Sequence, residues 1–266
     1  GQRMVYGIPV YNIKQTEYSF AIGAKATATT PGYSILPNSV LPNSNTNNLV
    51  TVAYTNPGTS SAAIDYKKGI DNYYHDQTQP AYASSFLLTA ILSPDYADRL
   101  GDGISDDDAG TAIKFNDSKL ATYKWRTPFT GATLNRCLLA DKDDDKGSIV
   151  YGEKEVYYVQ SIESKTKIAY FITQNRSDAM GVTDFTGTAL DSSNPLKCLK
   201  EIRLYSKADM SKPIKVVKFE YSYELCRGVP NNIDNAGGLN SNPSLGGKLT
   251  LKKVWFQYGN SPKGAN

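Results

Sequence analysis

Oxygen ligands for a hard cation are the chemistry this sequence spaces most clearly. Between Asp95 and Phe115, residues Asp98, Asp102, Gly103 and Asp106 fall at positions one, five, six and nine of a calcium loop, and the Ile104 carbonyl falls at position seven. A divalent ion needs several oxygens converging from one tight turn, with glycine where the chain bends sharply. Position three is Leu100, which has no side-chain oxygen, and position twelve is Ala109, so the bidentate Glu that closes a helix-loop-helix site is missing. Strand-flanked calcium loops do without that Glu, and Asp107 or Asp108 supplies a further oxygen. The expected ligands are therefore Asp98, Asp102, Ile104, Asp106 and Asp108, and the expected ion is Ca2+. The same residues also read as a solvated acidic turn whose aspartates cap backbone amides.

Other candidates carry less. Asp141 to Lys146 is acidic but lacks a central glycine and carries lysines, which describes a solvated loop. His75 is the one histidine, and no serine or cysteine nucleophile motif accompanies it, so it reads as a surface or structural residue. A glycosidase needs two carboxyls facing each other across a cleft, and a cluster local in sequence on an exposed turn does not meet that description. Trp125 and Arg126 form the candidate ligand contact, an indole that stacks on a sugar ring beside a guanidinium. Cys198 and Cys226 flank an apparent hairpin and read either as a pair or as free thiols, and Cys137 makes the count odd.

These residues need elements to position them, and the elements read as strands. Nineteen tyrosines against eight Phe and two Trp fit half-buried sheet faces, where the ring packs and the hydroxyl reaches water. Runs of β-branched and aromatic residues at 16–22, 49–54, 155–163, 167–172, 199–205, 214–221 and 248–258 have ordinary strand lengths and are separated by turn residues. Segments 177–195 and 227–247 read as polar insertions, and 29–60 as a long Pro-, Asn- and Ser-rich loop around one short strand. No stretch holds helical periodicity over three turns. The expected fold is mainly β: antiparallel strands and hairpins forming a twisted sheet or sandwich-like shell, with long polar loops and little helix. Two regions are expected, 1–148 with the long loops and the acidic loop, and 149–266 with the hairpins, or one continuous domain. A net charge of +3 gives no nucleic-acid surface, and no segment approaches the ~20 apolar residues of a membrane span. The start at Gly1 and the polar run after Tyr258 read as the ends of a fragment.

The strand runs ending in Ser161-Ile162-Glu163, then Leu199 to Ser206, Val217 to Tyr221 and Leu249 to Gly259, resemble the strand-rich shell of Salmonella-virulence-plasmid B-type, insecticidal toxin-complex and Rhs-repeat proteins. Val5 to Asn12, Ser93 to Tyr96 and Gly101 to Asp108 are similar to segments of very large secreted proteins of that kind in Bacteroidota. The regular Tyr-Asp repeats of the Rhs shell are absent. The resemblance implies a non-catalytic scaffold or shell module, secreted or at the bacterial surface, whose partners are other segments of one large polypeptide or toxin-complex subunits. The alternative expectation is a carbohydrate- or surface-binding module that meets glycans, and the third a glycosidase-type hydrolase.

Overall fold

The computed structural model describes residues 1–21, 48–52, 74–127, 132–136, 146–185, 187, 189–226, 246–259 and 261. They form fifteen strands: β1 (Arg3–Ala21), β2 (Asn48–Val52), β3 (Tyr74–Gln79), β4 (Tyr82–Leu92), β5 (Ala112–Lys119), β6 (Tyr123–Thr127), β7 (Ala132–Arg136), β8 (Lys146–Lys154), β9 (Tyr157–Glu163), β10 (Lys167–Asn175), β11 (Gly181–Val182), β12 (Leu190–Asp191), β13 (Lys197–Ser206), β14 (Lys215–Leu225) and β15 (Lys248–Tyr258). The mainly antiparallel β expectation holds, and there is no helix among the described residues. Thirteen strands make one sheet, ordered β15-β14-β13-β10-β9-β5-β4-β1-β8-β7-β2, with β3 added on β1 and β6 on β8.

β1 is longer than the run read from the sequence at 16–22, because it serves two neighbourhoods. Its first part pairs with β4 up to Asn12↔Tyr82, and from Asn12↔Lys154 onward its other side pairs with β8. Register shifts at Val5/Tyr6, Tyr6/Ile8 and Val10/Tyr11 twist the strand through this change of partner. Pro9, which has no N–H for a ladder, lies in the part bonded only to β4 among the described residues. Pro80 separates β3 from β4, which otherwise continue one another along β1. The boundary read at 148/149 falls inside β8, and strands from both sides of it alternate in the one sheet.

Cross-strand partners share a face, and successive residues alternate. One row therefore runs Phe115, Ile162, Ala169, Leu204, Lys215, Tyr258, and beside it Phe171, Ile202, Val217, Phe256. These two rows are apolar apart from Lys215, whose ammonium stands 4.1 Å from the Phe256 ring centroid, and the Lys167–Ser206 pair borders them. Their members are half-buried or, on β15, exposed. The most enclosed side chains lie elsewhere, at Ile149, Val182 and Thr16.

Segment 177–195 is more than a polar insertion. β11 and β12 pair as a small hairpin, and Val182 is fully enclosed. Gly181 lies so close to β6 that a Cβ there would stand 2.2 Å from the Lys124 carbonyl oxygen. The segment is anchored by Asp178, which accepts from Arg176 Nε at 3.0 Å and from the Tyr223 hydroxyl at 2.8 Å.

Candidate functional site

The acidic loop joins β4 to β5, and its base is a short extension of those strands. Ala97 and Ala109 exchange backbone hydrogen bonds of 3.2 and 3.1 Å, and Ser93 N–H donates to the Thr111 carbonyl at 2.9 Å. Beneath the loop, Ala90, Leu92 and Ala112 form a small buried cluster against which Tyr96 and Ile104 pack. Apolar burial thus fixes the two ends of the turn, and the aspartates organise what lies between.

Asp98 accepts from Gly101 N–H at 2.6 Å and from Gly103 N–H at 3.0 Å, closing an Asx-type turn. Gly103 has φ +92°, which is the backbone conformation this reversal requires and other residues avoid. Asp108 is the buried member, with 2 % of its surface exposed. Its carboxylate accepts from the Tyr96 hydroxyl at 2.7 Å, from Ser105 N–H at 2.9 Å and from Arg99 N–H at 3.3 Å. The Ser105 amide, followed by the Tyr96 hydroxyl, holds the Asp108 carboxyl below its ordinary range. The same bond, with burial and the charges of Asp108, Asp98 and Asp102, pushes the Tyr96 phenol up to about 12.

One oxygen from each of Asp98, Asp102 and Asp108 lies within 4.8 Å of the others, so these carboxylates surround a common point. Asp106 is not one of this trio, and the Ile104 atom read as a ligand is its carbonyl oxygen. Asp106 turns out to solvent and faces Lys207 at 3.5 Å, and Lys207 also pairs with Glu163 at 3.0 Å. Ile104 packs its side chain into the cluster below the loop. Lys165 donates to the Asp108 carbonyl, bringing a cation to the rim. The donor chemistry fits a hard cation as a partial, three-carboxylate set, against the six to eight oxygens of a complete calcium sphere. The same oxygens already cap Gly101, Gly103, Arg99 and Ser105.

Tyr96 went unread as part of the site, although its phenol, two residues before Asp98, was a visible signal. Lys165, Lys207 and Glu163 left no local signal, because Glu163 ends β9 and the two lysines lie in the turns that follow β9 and β13.

Trp125 and Arg126 lie on β6, where consecutive side chains point to opposite faces. The Trp125 indole covers Gly152 of β8, its cross-strand partner, so closely that a Cβ there would stand 2.5 Å from Cε2. Arg126 is 7 % exposed, and its Nε donates to the Phe185 carbonyl at 2.8 Å. The two do not converge on one surface. His75 lies exposed on β3 opposite Ser19. Cys198 and Cys226 are free thiols, while Cys137 and most of the 141–146 run lie outside the described residues.

A shallow cleft of about 440 Å³ opens beside β10 and β13, bordered by Gln160, Tyr170, Phe171, Ile172, Arg203, Tyr205 and Met210. β9 and β10 pair only from Glu163↔Ile168 to Ser161↔Tyr170, and the cleft begins where that pairing stops. Tyr170 and Tyr205 meet edge-on at 6.0 Å, and Arg203 is steadied by Glu201 at 2.8 Å. Compared with known proteins, the chain matches no family model, no curated protein and no solved structure.

Proposed function

We propose that this chain is a non-catalytic scaffold segment in the wall of a large secreted or surface bacterial protein of the toxin-complex and Rhs-repeat kind, with Ca2+ fixing its acidic loop through Asp98, Asp102 and Asp108. The observation that carries the reading is the apolar face spanning β5, β9, β10, β13, β14 and β15, whose side chains stay half-buried or exposed. A sheet with one dry face is stable when that face meets another layer, which is the situation of a wall segment among its neighbours. In the test, the 266-residue chain melts cooperatively yet binds the dye ANS strongly, and turns over no chromogenic glycoside. Glycoside turnover abolished by Asp98→Asn sinks the reading. For the ion, saturating Ca2+ raises the melting midpoint, by about 2.7 kcal/mol of stability at a hundredfold excess over Kd, and Asp102→Asn removes the effect. An unchanged midpoint with and without chelator removes calcium from the proposal.

The cleft favours a second reading, glycan binding. Tyrosine rings offer a surface to the C–H face of a pyranose, while the fixed Arg203–Glu201 pair and Gln160 offer planar hydrogen-bonding groups to its hydroxyls. Affinity electrophoresis through neutral polysaccharides tests it. Retardation lost in Tyr205→Ala but kept in Trp125→Ala supports the cleft, and no retardation dismisses it.

A further inference from the structure

β15 is the last strand of its sheet and is bonded to β14 alone among the described residues. Its outer side therefore carries a row of backbone N–H and C=O groups directed away from the sheet, the template on which an extended chain adds as a further strand. Eleven residues make this a long edge.

The side chains along it sort by face. Leu251, Val254, Phe256 and Tyr258 lie on the apolar face and are exposed at 51 %, 40 %, 44 % and 63 %. Their β14 partners on that face, Tyr221, Phe219, Val217 and Lys215, are half-buried. The apolar face thus runs to the rim of the sheet and ends with its outermost row uncovered along one flank. On the other face Lys253 stands 5.2 Å from the Trp255 ring centroid. β15 also carries Lys248 and Lys252 and no acidic residue of its own; on β14, Glu224 pairs with Lys252 at 2.5 Å and Glu220 stands opposite Lys253.

Lysines on an edge ordinarily discourage pairing with copies of the same edge, and here two copies would bring like charges together. An acidic strand has the opposite experience. We infer that β15 receives an added β-strand from a partner polypeptide, an extended segment alternating apolar and acidic residues. Its apolar side chains continue the row of Leu251, Val254, Phe256 and Tyr258, and its carboxylates meet Lys253 on the other face. The inference rests on the scaffold reading, since it names the contact through which the wall continues.

The test uses the full chain and a fluorescein-labelled synthetic peptide alternating Val and Glu, followed by fluorescence anisotropy. Saturable binding is expected, weakened at least tenfold when the peptide's Glu residues become Lys. It is weakened as much when alternate peptide nitrogens are methylated, which removes the backbone bonds and leaves the side chains. Phe256→Lys, on the apolar side, and Lys253→Glu, on the basic side, each weaken it similarly, so either variant suffices if the other folds poorly. Absence of saturable binding overturns the inference, as does equal affinity for the methylated or Lys-bearing peptide. A dimer in sedimentation that Phe256→Lys dissolves also overturns it, by assigning the edge to a second copy. A chain that ignores the peptide yet binds ANS and turns over no glycoside loses this edge and keeps the scaffold reading.

Discussion

The β4–β5 loop and the β15 edge both mark places where regular pairing stops, and they stop in opposite ways. In the loop the polar groups turn inward: Asp98 and Asp108 accept backbone amides, and Asp107 accepts from the Ser105 hydroxyl at 2.6 Å. At the edge, backbone groups and apolar side chains turn outward, with lysines on the strand. A loop built on buried carboxylate contacts has much of its shape set by its own chain, before any ion is added. A strand with an open ladder and an uncovered apolar row has contacts left for another chain. The contrast locates rigidity at one point of the sheet and recognition at another.

The largest effect is expected from Gly110→Ala. Gly110 has φ +74°, and a Cβ there would stand 2.7 Å from Tyr96 N and 2.8 Å from the Asp95 carbonyl carbon, both backbone atoms without freedom to yield. Left-handed strain and overpacking act together, for a cost of about 2–4 kcal/mol in urea denaturation. An unchanged midpoint would break the claim that the loop is internally fixed. The matching change at the rim, in a side chain already half in water, has no comparable clash to make.

The sequence carried much of this contrast and missed the rest for definable reasons. Strand runs such as 248–258 were legible because β-branched and aromatic residues alternate with charge over a single element. The acidic loop was legible as a cluster, and Asp98 and Asp102 do converge. Asp108, read as an extra oxygen, is the buried centre instead, because Tyr96 and the Ser105 amide reach it only once the turn has closed. Asp106 was assigned by its spacing, yet Lys207 lies about a hundred residues on and takes it outward. Arg126 is a similar case: its partner, the Phe185 carbonyl, comes from the segment around β11 and β12. Local spacing shows which groups can meet, and the long-range partners decide which do.

Removing one charge from each region compares them directly. Asp108 has its pKa lowered in the fold, chiefly by the Ser105 amide and the Tyr96 hydroxyl. A depressed carboxyl contributes stability that is present above the unfolded value near 3.8 and lost as pH falls through the lower folded value. The melting midpoint of the native chain should therefore fall below about pH 4. In Asp108→Asn it should start lower by several degrees and show a shallower acid slope. Among the described residues, Lys253 stands exposed across the strand from Glu220 and meets the Trp255 ring. Lys253→Gln should cost less than about 1 kcal/mol at neutral pH, within the range of surface pairs and exposed cation–π contacts. Thermal melts of both variants across pH decide the matter. If Lys253→Gln proves as costly as Asp108→Asn, the edge is held by its own charges as firmly as the loop is, and the separation of rigidity from recognition fails.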